Sequence, residues 1–405
     1  MGAFDGVKVN QVNGGLQRKS PSTDGVMLLV IAGAVAATGL AVKTALKLLT
    51  LKNAEDAGIN AGYDDTNNIH AHYHIDEFFR VAPQGTLYVV LDNGTLTSED
   101  IKVIIRKNSE ISGFAIARND ATTIVDFPAY KGAYQNIITE LRAENHYVSF
   151  GLVEGNDSAT ATIGAFPDNR ADSAPDIATV SVQDPIIRAL KTEYEGLAAV
   201  GTALGGMAVR KVNENLGSVN IESKPDGFKG NVTYPLTNVG RQRWLGAVLL
   251  NGMDVEVLSA AEKADLDTKA HIYAGSYVGL AGIFFNNSGT GTVITSDFAY
   301  LENNRVWNKA ARAIRQALLP RVKSNVLKDP ETGFILEREA KELEVLAENA
   351  LQVMEAAEEI SGKDVYINPE QAIAQDVPLE VRAEVVSNGI LFDITVNLGQ
   401  VNSIG

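Results

Sequence analysis

The residues that most constrain how this chain can fold are its last twenty-five. Residues 381–386 (VRAEVV) and 390–398 (ILFDITVNL) are two alternating runs on either side of Ser387-Asn388-Gly389. A period of two places Ile390, Phe392, Ile394, Val396 and Leu398 on one face of a strand, with Asp393, Thr395 and Asn397 on the other. Asn-Gly between such runs predicts a hairpin closed by a type I′ turn, which needs left-handed backbone at both central residues. The sequence ends seven residues after Leu398. A strand this regular at a terminus is expected to pair in its own sheet or in another molecule's.

The rest of the 405 residues has ordinary globular composition, 45% hydrophobic and 21% charged, enough for two or three domains. A net charge of −15 argues against sequence-independent nucleic-acid binding, which needs a basic face. There are no cysteines, so disulfides, thiolate metal sites and a cysteine nucleophile are excluded. This composition fits the cytoplasm. Residues 25–42 carry no charge. The run is short and Gly/Ala-rich for a membrane span and lies far from the start for a signal peptide. We read it as a buried strand over residues 26–32, followed by a helix that continues through Val42, Leu46, Leu49 and Leu51.

Residues 1–24 are polar, with a short alternation at Val7, Val9 and Val12, and read as an extended arm. Strands are predicted at 85–91, 111–117 and 147–153, alternating with helices at 97–107 and 129–145. This order implies an α/β domain with a parallel or mixed sheet. Residues 164–176 read as a loop and 185–212 as one long small-residue helix. Further strands are expected at 254–258 and 271–274, with a capped acidic turn or helix at 259–267. After the turn-rich stretch 284–291 the character changes. Residues 299–319 form an amphipathic helix stopped by Pro320. Residues 337–360 form a second, with Leu343, Leu346, Ala347, Ala350, Val353, Ala357 and Ile360 inward and Gly362 at its end. The expected organisation is an N-terminal arm (1–24), an α/β outer domain with a mixed sheet (25–291), an α+β C-terminal module (292–389) and a C-terminal arm strand (390–405).

Charge is segregated in that module. Residues 299–323 hold Arg305, Lys309, Arg312, Arg315, Arg321 and Lys323 against Glu302 alone; residues 337–360 hold eight Glu against Arg338 and Lys341. The simpler reading is a pair of antiparallel helices with complementary solvated faces. The sharper one is a basic stripe, Arg305, Lys309 and Arg312 at i, i+4 and i+7, that meets an acidic partner.

Motifs for catalysis are scarce. His70-Ala-His72-Tyr-His74 is the one ligand-like cluster; on a strand its histidines share a face that could bind zinc or nickel, though a structural role is the plainer reading. Gly201-Thr-Ala-Leu-Gly205-Gly206 lacks the Gly-Lys-Ser/Thr of a phosphate loop, and its small residues suit close helix packing. Gly289-Thr-Gly291 lacks the third glycine of a dinucleotide fingerprint, and no G-x-S-x-G elbow occurs. No cofactor is implied.

The order of elements resembles the sheath proteins of contractile tails, found in myophages and related injection systems, and within them the compact sheaths of Bacteroidetes-type phages. The most telling stretch is residues 295–318 (TSDFAYLENNRVWNKAARAIRQAL): strand, short aromatic segment, Asn/Arg-rich helix start, long helix. Residues 198–212 (AAVGTALGGMAVRKV) resemble the family's small-residue helix, and residues 24–59 its N-terminal opening. The Trp-Gly-Ala-Arg-Thr-Leu type motif that commonly precedes the C-terminal module is replaced here by Gly289-Thr-Gly-Thr-Val-Ile-Thr295.

The resemblance implies a non-enzymatic structural subunit that polymerises with itself as stacked hexameric rings around an inner tube protein and contracts. It implies further partners in baseplate and tail terminator proteins, no nucleic acid and no membrane insertion. It implies assembly in the host cytoplasm and a place in the virion tail. Both termini would lend strands to neighbouring subunits: Val7, Val9 and Val12 from the N-terminal arm, Ile390, Phe392, Ile394, Val396 and Leu398 from the C-terminal arm, with Asn388-Gly389 as a hinge and residues 381–386 as the home strand. The C-terminal module would face the tube, making Arg305, Lys309, Arg312 and Arg315 candidate tube contacts. The alternatives are another self-assembling virion protein, tube or capsid, or an α/β enzyme with a ligand among the loops after Leu91, Ala117 or Val153.

Overall fold

The structure, a computed structural model, describes residues 23–374, 377–396, 398 and 400. Val7, Val9 and Val12 lie outside them. The chain divides into two compact units, the first running to Arg305 and the second beginning at Val306.

The first unit opens on β1 (Val26–Ala32), whose run VMLLVIA is buried on both faces. A strand with no polar alternation must lie inside a sheet covered on both sides. β2 (Ala45–Leu48) and three helices follow: α1 (Leu51–Asp56), α2 (Ala61–Asn67) and α3 (Ala71–Val81). Then come β3 (Thr86–Asp92), α4 (Ser98–Lys107), β4 (Gly113–Ala117), α5 (Phe127–Ala143), β5 (Phe150–Glu154), β6 (Ile177–Val180), β7 (Val182–Gln183), α6 (Pro185–Arg188) and α7 (Val200–Val209). β8 (Val248–Leu249), α8 (Ala260–Thr268), β9 (His271–Ile272), β10 (Ala274–Ser276), β11 (Ile283–Phe285) and the start of α9 (Leu301–Leu318) complete it.

The main sheet has the order β2-β3-β1-β4-β5-β6-β9, parallel except for the edge strand β2, which runs antiparallel to β3. Met27, Leu29 and Ile31 share a core with Ile75 and Phe78 of α3 and with Ala203, Leu204 and Met207 of α7. Val26, Leu28 and Val30 face the other way, toward Ile101, Ile104 and Ile105 of α4 and Ile137, Ile138 and Leu141 of α5. Burying each large aliphatic chain is worth about 1.5–3 kcal/mol, so the double cover fixes the register of β1. Local signals set the helix starts. Thr97 caps α4 by accepting from Asp100 N at 3.2 Å, while Asp100 Oδ2 accepts from Thr97 N at 2.9 Å.

Three expectations fail in this unit. No helix continues from residue 32 to 51. Residues 45–48 are the antiparallel edge strand, and the helix begins only at Leu51, behind the Thr50–Asn53 capping box. The long helix at 185–212 is broken: α6 ends at Arg188, and only α7 is the compact small-residue helix. The stretch 254–258 is not a strand but holds a short 3-10 turn. The close packing expected of the small residues is present. A Cβ on Gly201 would sit 2.5 Å from the His74 carbonyl oxygen, and one on Gly205 2.9 Å from that of Phe78, so α7 lies directly on the backbone of α3. No helix among the described residues is long and apolar enough to cross a membrane.

The second unit holds most of α9, then α10 (Glu337–Ala356), β12 (Ile360–Tyr366) and β13 (Arg382–Ser387). Ala340, Leu343, Ala347, Leu351 and Met354 form the buried face of α10. Val353, expected inward, is 70% exposed, and Ile360 belongs to β12 rather than to the helix. One hydrophobic cluster of this unit joins Ile335, Ala340, Leu343 and Ile367, edged by half-buried Leu318, Leu346, Ile373, Leu379 and Val381.

Candidate assembly surface

The terminal segment departs from the simple hairpin. β13 pairs antiparallel with β12, from Tyr366↔Arg382 to Ile360↔Ser387, and not with the residues that follow it. Neither Asn388 nor Gly389 takes the left-handed backbone that a type I′ turn requires. Asn388 is instead fastened back onto the start of β12. Its Nδ2 donates to the Glu358 carbonyl at 2.6 Å, and its Oδ1 accepts from Ser361 Oγ at 2.7 Å. Residues 388–396 belong to no strand. Ile394, Val396 and Leu398 are 77%, 76% and 93% exposed, and Leu391 and Phe392 are exposed beside them.

β12 and β13 form a two-stranded sheet. β12 packs on α10, with Ile360 and Val365 buried. β13 has no buried residue, and Val386 is 59% exposed. A two-stranded ribbon is marginal alone and needs a helix or a further strand on it. Here α10 supplies the cover for β12, while β13 pairs on its other edge with no strand among the described residues. The role of residues 360–366 was missed in the sequence because Gly362 reads as a helix terminator. The bulge between Ile360 and Gly362 also breaks the period of two, so that buried Ile360 and Val365 fall in opposite alternate sets.

The basic stripe is narrower than its spacing suggests. Arg305 is 2% exposed, and its guanidinium donates to the carbonyl oxygens of Lys211 (3.0 Å) and Arg210 (3.2 Å). It holds the first unit together and leaves the surface stripe. Lys309 is half-buried and paired with Glu359 at 2.6 Å. Arg312 is half-buried, and Arg315 is exposed. The complementary charges expected of the two helices are realised lower down, where Arg321 meets Glu342 at 2.5 Å.

The histidine cluster is not a strand. Residues 71–81 are helical, so His70, His72 and His74 do not share a face. His70 and His74 are buried, with ring centroids 5.7 Å apart, and His72 reaches Glu55 at 3.3 Å. Burial pulls His74 down to about 3, which keeps it neutral. No three acidic, histidine or cysteine side chains among the described residues group to hold a metal. Beside the histidines, buried Glu77 is fully engaged. It takes both forks of Arg80 at 2.7 Å, Trp244 Nε1 at 2.9 Å and Thr202 Oγ1 at 3.1 Å.

The carboxyl ends of the parallel strands, where an α/β enzyme would bind its ligand, are occupied by the protein itself. Buried Glu154 accepts from Arg118 N at 3.0 Å and Ala198 N at 3.3 Å; the Arg118 guanidinium donates to the Thr122 and Gly155 carbonyls, both at 3.2 Å. Ser181 donates to Asp157 at 3.1 Å and contacts His271 Nδ1 at 2.8 Å. These are the residue types of a hydrolytic triad, but serine stands in the middle and all three are buried. Burial pushes Glu154 up to about 8 and Asp157 to about 7, and pulls His271 down to about 4.

The chain as a whole is similar to proteins of contractile tails. A chain of the anti-feeding prophage (AFP) baseplate matches over 99% of both chains, with a TM-score of 0.61 and 16% identity. A chain from the contracted sheath complex of PVC, an extracellular contractile injection system, matches over 99% of both, with a TM-score of 0.59 and 12% identity. A sheath tail protein from Desulfitobacterium hafniense matches over 95% of this chain and 100% of its own, with a TM-score of 0.53 and 9% identity. This chain therefore has the fold of contractile-tail sheath proteins. No curated protein matches it significantly by sequence. A family model described as the DUF2586 N-terminal domain matches residues 4–289, and one described as the DUF2586 C-terminal domain matches residues 297–405. The chain belongs to the DUF2586 family.

Proposed function

We propose that this protein is a structural sheath subunit that polymerises as stacked hexameric rings around an inner tube and contracts to drive that tube through an envelope. The observation that carries this reading is the end-to-end likeness to a chain of a contracted injection-system sheath, over 99% of both chains at a TM-score of 0.59. The exposed apolar arm and the open edge of β13 support it. Strand addition supplies main-chain hydrogen bonds of about 1 kcal/mol each, with alternate side chains seated in pockets. Ile390, Phe392, Ile394, Val396 and Leu398 are the strand lent to a neighbour, Val7, Val9 and Val12 the strand lent by the other arm, and Asn388-Gly389 the hinge between molecules. Residues 25–291 form the outer domain and 292–389 the tube-facing module. Exposed Arg315 and half-buried Lys309 and Arg312 make tube contacts; a solvent-exposed ion pair is worth about 0–1 kcal/mol, weak enough to break on firing. The subunit is non-enzymatic, and the particle is a phage tail or an extracellular injection machine, with tube, baseplate and terminator proteins as partners.

Negative-stain microscopy of the purified full-length protein tests this. Rings or hollow tubes are expected, and deletion of residues 391–405 should abolish them while leaving a folded monomer. A full-length protein that stays monomeric at high concentration, with or without the tube protein, would sink the proposal.

A further inference from the structure

A buried lysine inside the first unit has no part in the assembly surface. Lys131, on α5, is 1% exposed, and its Nζ lies 2.6 Å from Asn169 Oδ1. The same Nζ is paired with Asp172, whose side chain is 7% exposed. The Phe127 ring lies beneath it, 4.4 Å from centroid to Nζ. Asn169 is 1% exposed, and its Nδ2 has no hydrogen-bond partner among the described residues. Its Oδ1 also accepts from Thr179 Oγ1 at 3.3 Å. An amine, a carboxamide and a carboxyl group thus meet at one buried site.

We propose that Lys131 and Asn169 join in a spontaneous intramolecular isopeptide bond, with Asp172 carrying the protons. The ammonium first gives a proton to the Asp172 carboxylate. The neutral Nζ then attacks Cγ of Asn169, forming the C–N bond while the Thr179 hydroxyl supports the developing charge on Oδ1. Asp172 delivers its proton to Nδ2 and takes the second one from Nζ, the Cγ–Nδ2 bond breaks, and ammonia leaves. The sum is amine plus carboxamide giving a secondary amide plus ammonia, with no oxidant, metal or cofactor. Two features favour the step. Desolvation lowers the Lys131 amine below its ordinary value, though Asp172 opposes the shift, and a desolvated lysine is the nucleophilic one. The folded chain also holds the reactants in contact, which converts a bimolecular encounter into an intramolecular step. The product ties α5 to the turn before β6 across 38 positions, a covalent clamp in a chain with no cysteines.

Peptide mapping of the purified full-length protein by tandem mass spectrometry tests this without any variant. The expected result is a branched peptide containing Lys131 and Asn169, lighter than its two arms by one ammonia, with no tryptic cleavage after Lys131. Lys131→Arg and Asp172→Ala should each return the intact protein to its full mass. Separate, unmodified peptides after prolonged incubation of the native protein would overturn the proposal. So would an ammonia loss that persists in Lys131→Arg, which marks a succinimide at an asparagine instead. A branched peptide lighter by one water and joined through Asp172 would overturn the assignment to Asn169.

Discussion

The two sheets of this protein make opposite use of the same backbone. In the first unit β1 is flanked on both edges by β3 and β4 and covered on both faces, with Leu28, Leu29 and Ile31 fully buried. In the second unit β13 has β12 on one edge and no buried residue. β1 is an interior strand of a seven-stranded sheet, whereas β13 pairs with no second strand among the described residues. Charge does not follow this division: the first unit buries Glu77, Lys131, Glu154 and Asp157, the second buries Glu344 and Glu359, and both carry surface pairs such as Arg106–Glu144 and Arg382–Glu384.

The largest test of this contrast is in the double-covered core. Phe78→Ala should cost about 3–5 kcal/mol, read from denaturant unfolding; a cost below 1 kcal/mol would mean the site collapses freely. Next, Gly201→Val places a Cβ against the His74 carbonyl and should cost about 1–3 kcal/mol by thermal melting, whereas Gly389→Ala, with nothing within 4 Å, should change little.

The buried charges of the first unit predict a pH dependence. Glu154 and Asp157 have folded values raised to about 8 and about 7, from 4.5 and 3.8. The unfolded chain therefore loses these protons first, and stability falls as pH rises through those windows, by about 1.4 kcal/mol per pH unit for each group. His74 and His271 are lowered from 6.5 to about 3 and about 4, so the unfolded chain takes up protons first as pH falls below 6.5. From pH 4.5 to 6.5 the two trends oppose each other and Tm should be nearly level; above 6.5 only the carboxylates act, and Tm should drop from pH 6.5 to 8. Glu154→Gln should flatten the alkaline side; an unchanged slope in that variant would remove Glu154 as the cause.

The smallest effect on folding should come from the arm. The double change Ile394→Asp and Val396→Asp should leave monomer stability within about 0.5 kcal/mol, because both residues are largely exposed, yet abolish polymers in electron micrographs. A destabilised monomer would place the arm in the chain's own core.

Much of the fold was legible in local pattern. The apolar run of β1 was read correctly, as were the helix of α4 and the stop of α9 near Pro320. Each rests on a signal that lies within a few residues. The errors arose where a distant neighbour decided. Residues 45–48 are strand because the edge of β3 needed covering, against a periodicity that also suits a helix. His70, just before α3, is buried against Tyr73 and Tyr194, and His74, within the helix, against Tyr73. Arg305 has the spacing of a surface stripe, but two carbonyls near α7 claim its guanidinium. The Lys131–Asn169–Asp172 cluster had no sequence signal, since 38 positions separate its first two members.

The sequence by itself determined the alternation of strand and helix, the amphipathic helices near the end and the regularity of the terminal run, because periodicity and capping are properties of neighbouring residues. Only the tertiary structure decided which strands pair, which charges are buried and that β12, not the terminal run, is the partner of β13. Pairing and burial depend on what the rest of the chain brings alongside, and no short window of residues contains that information.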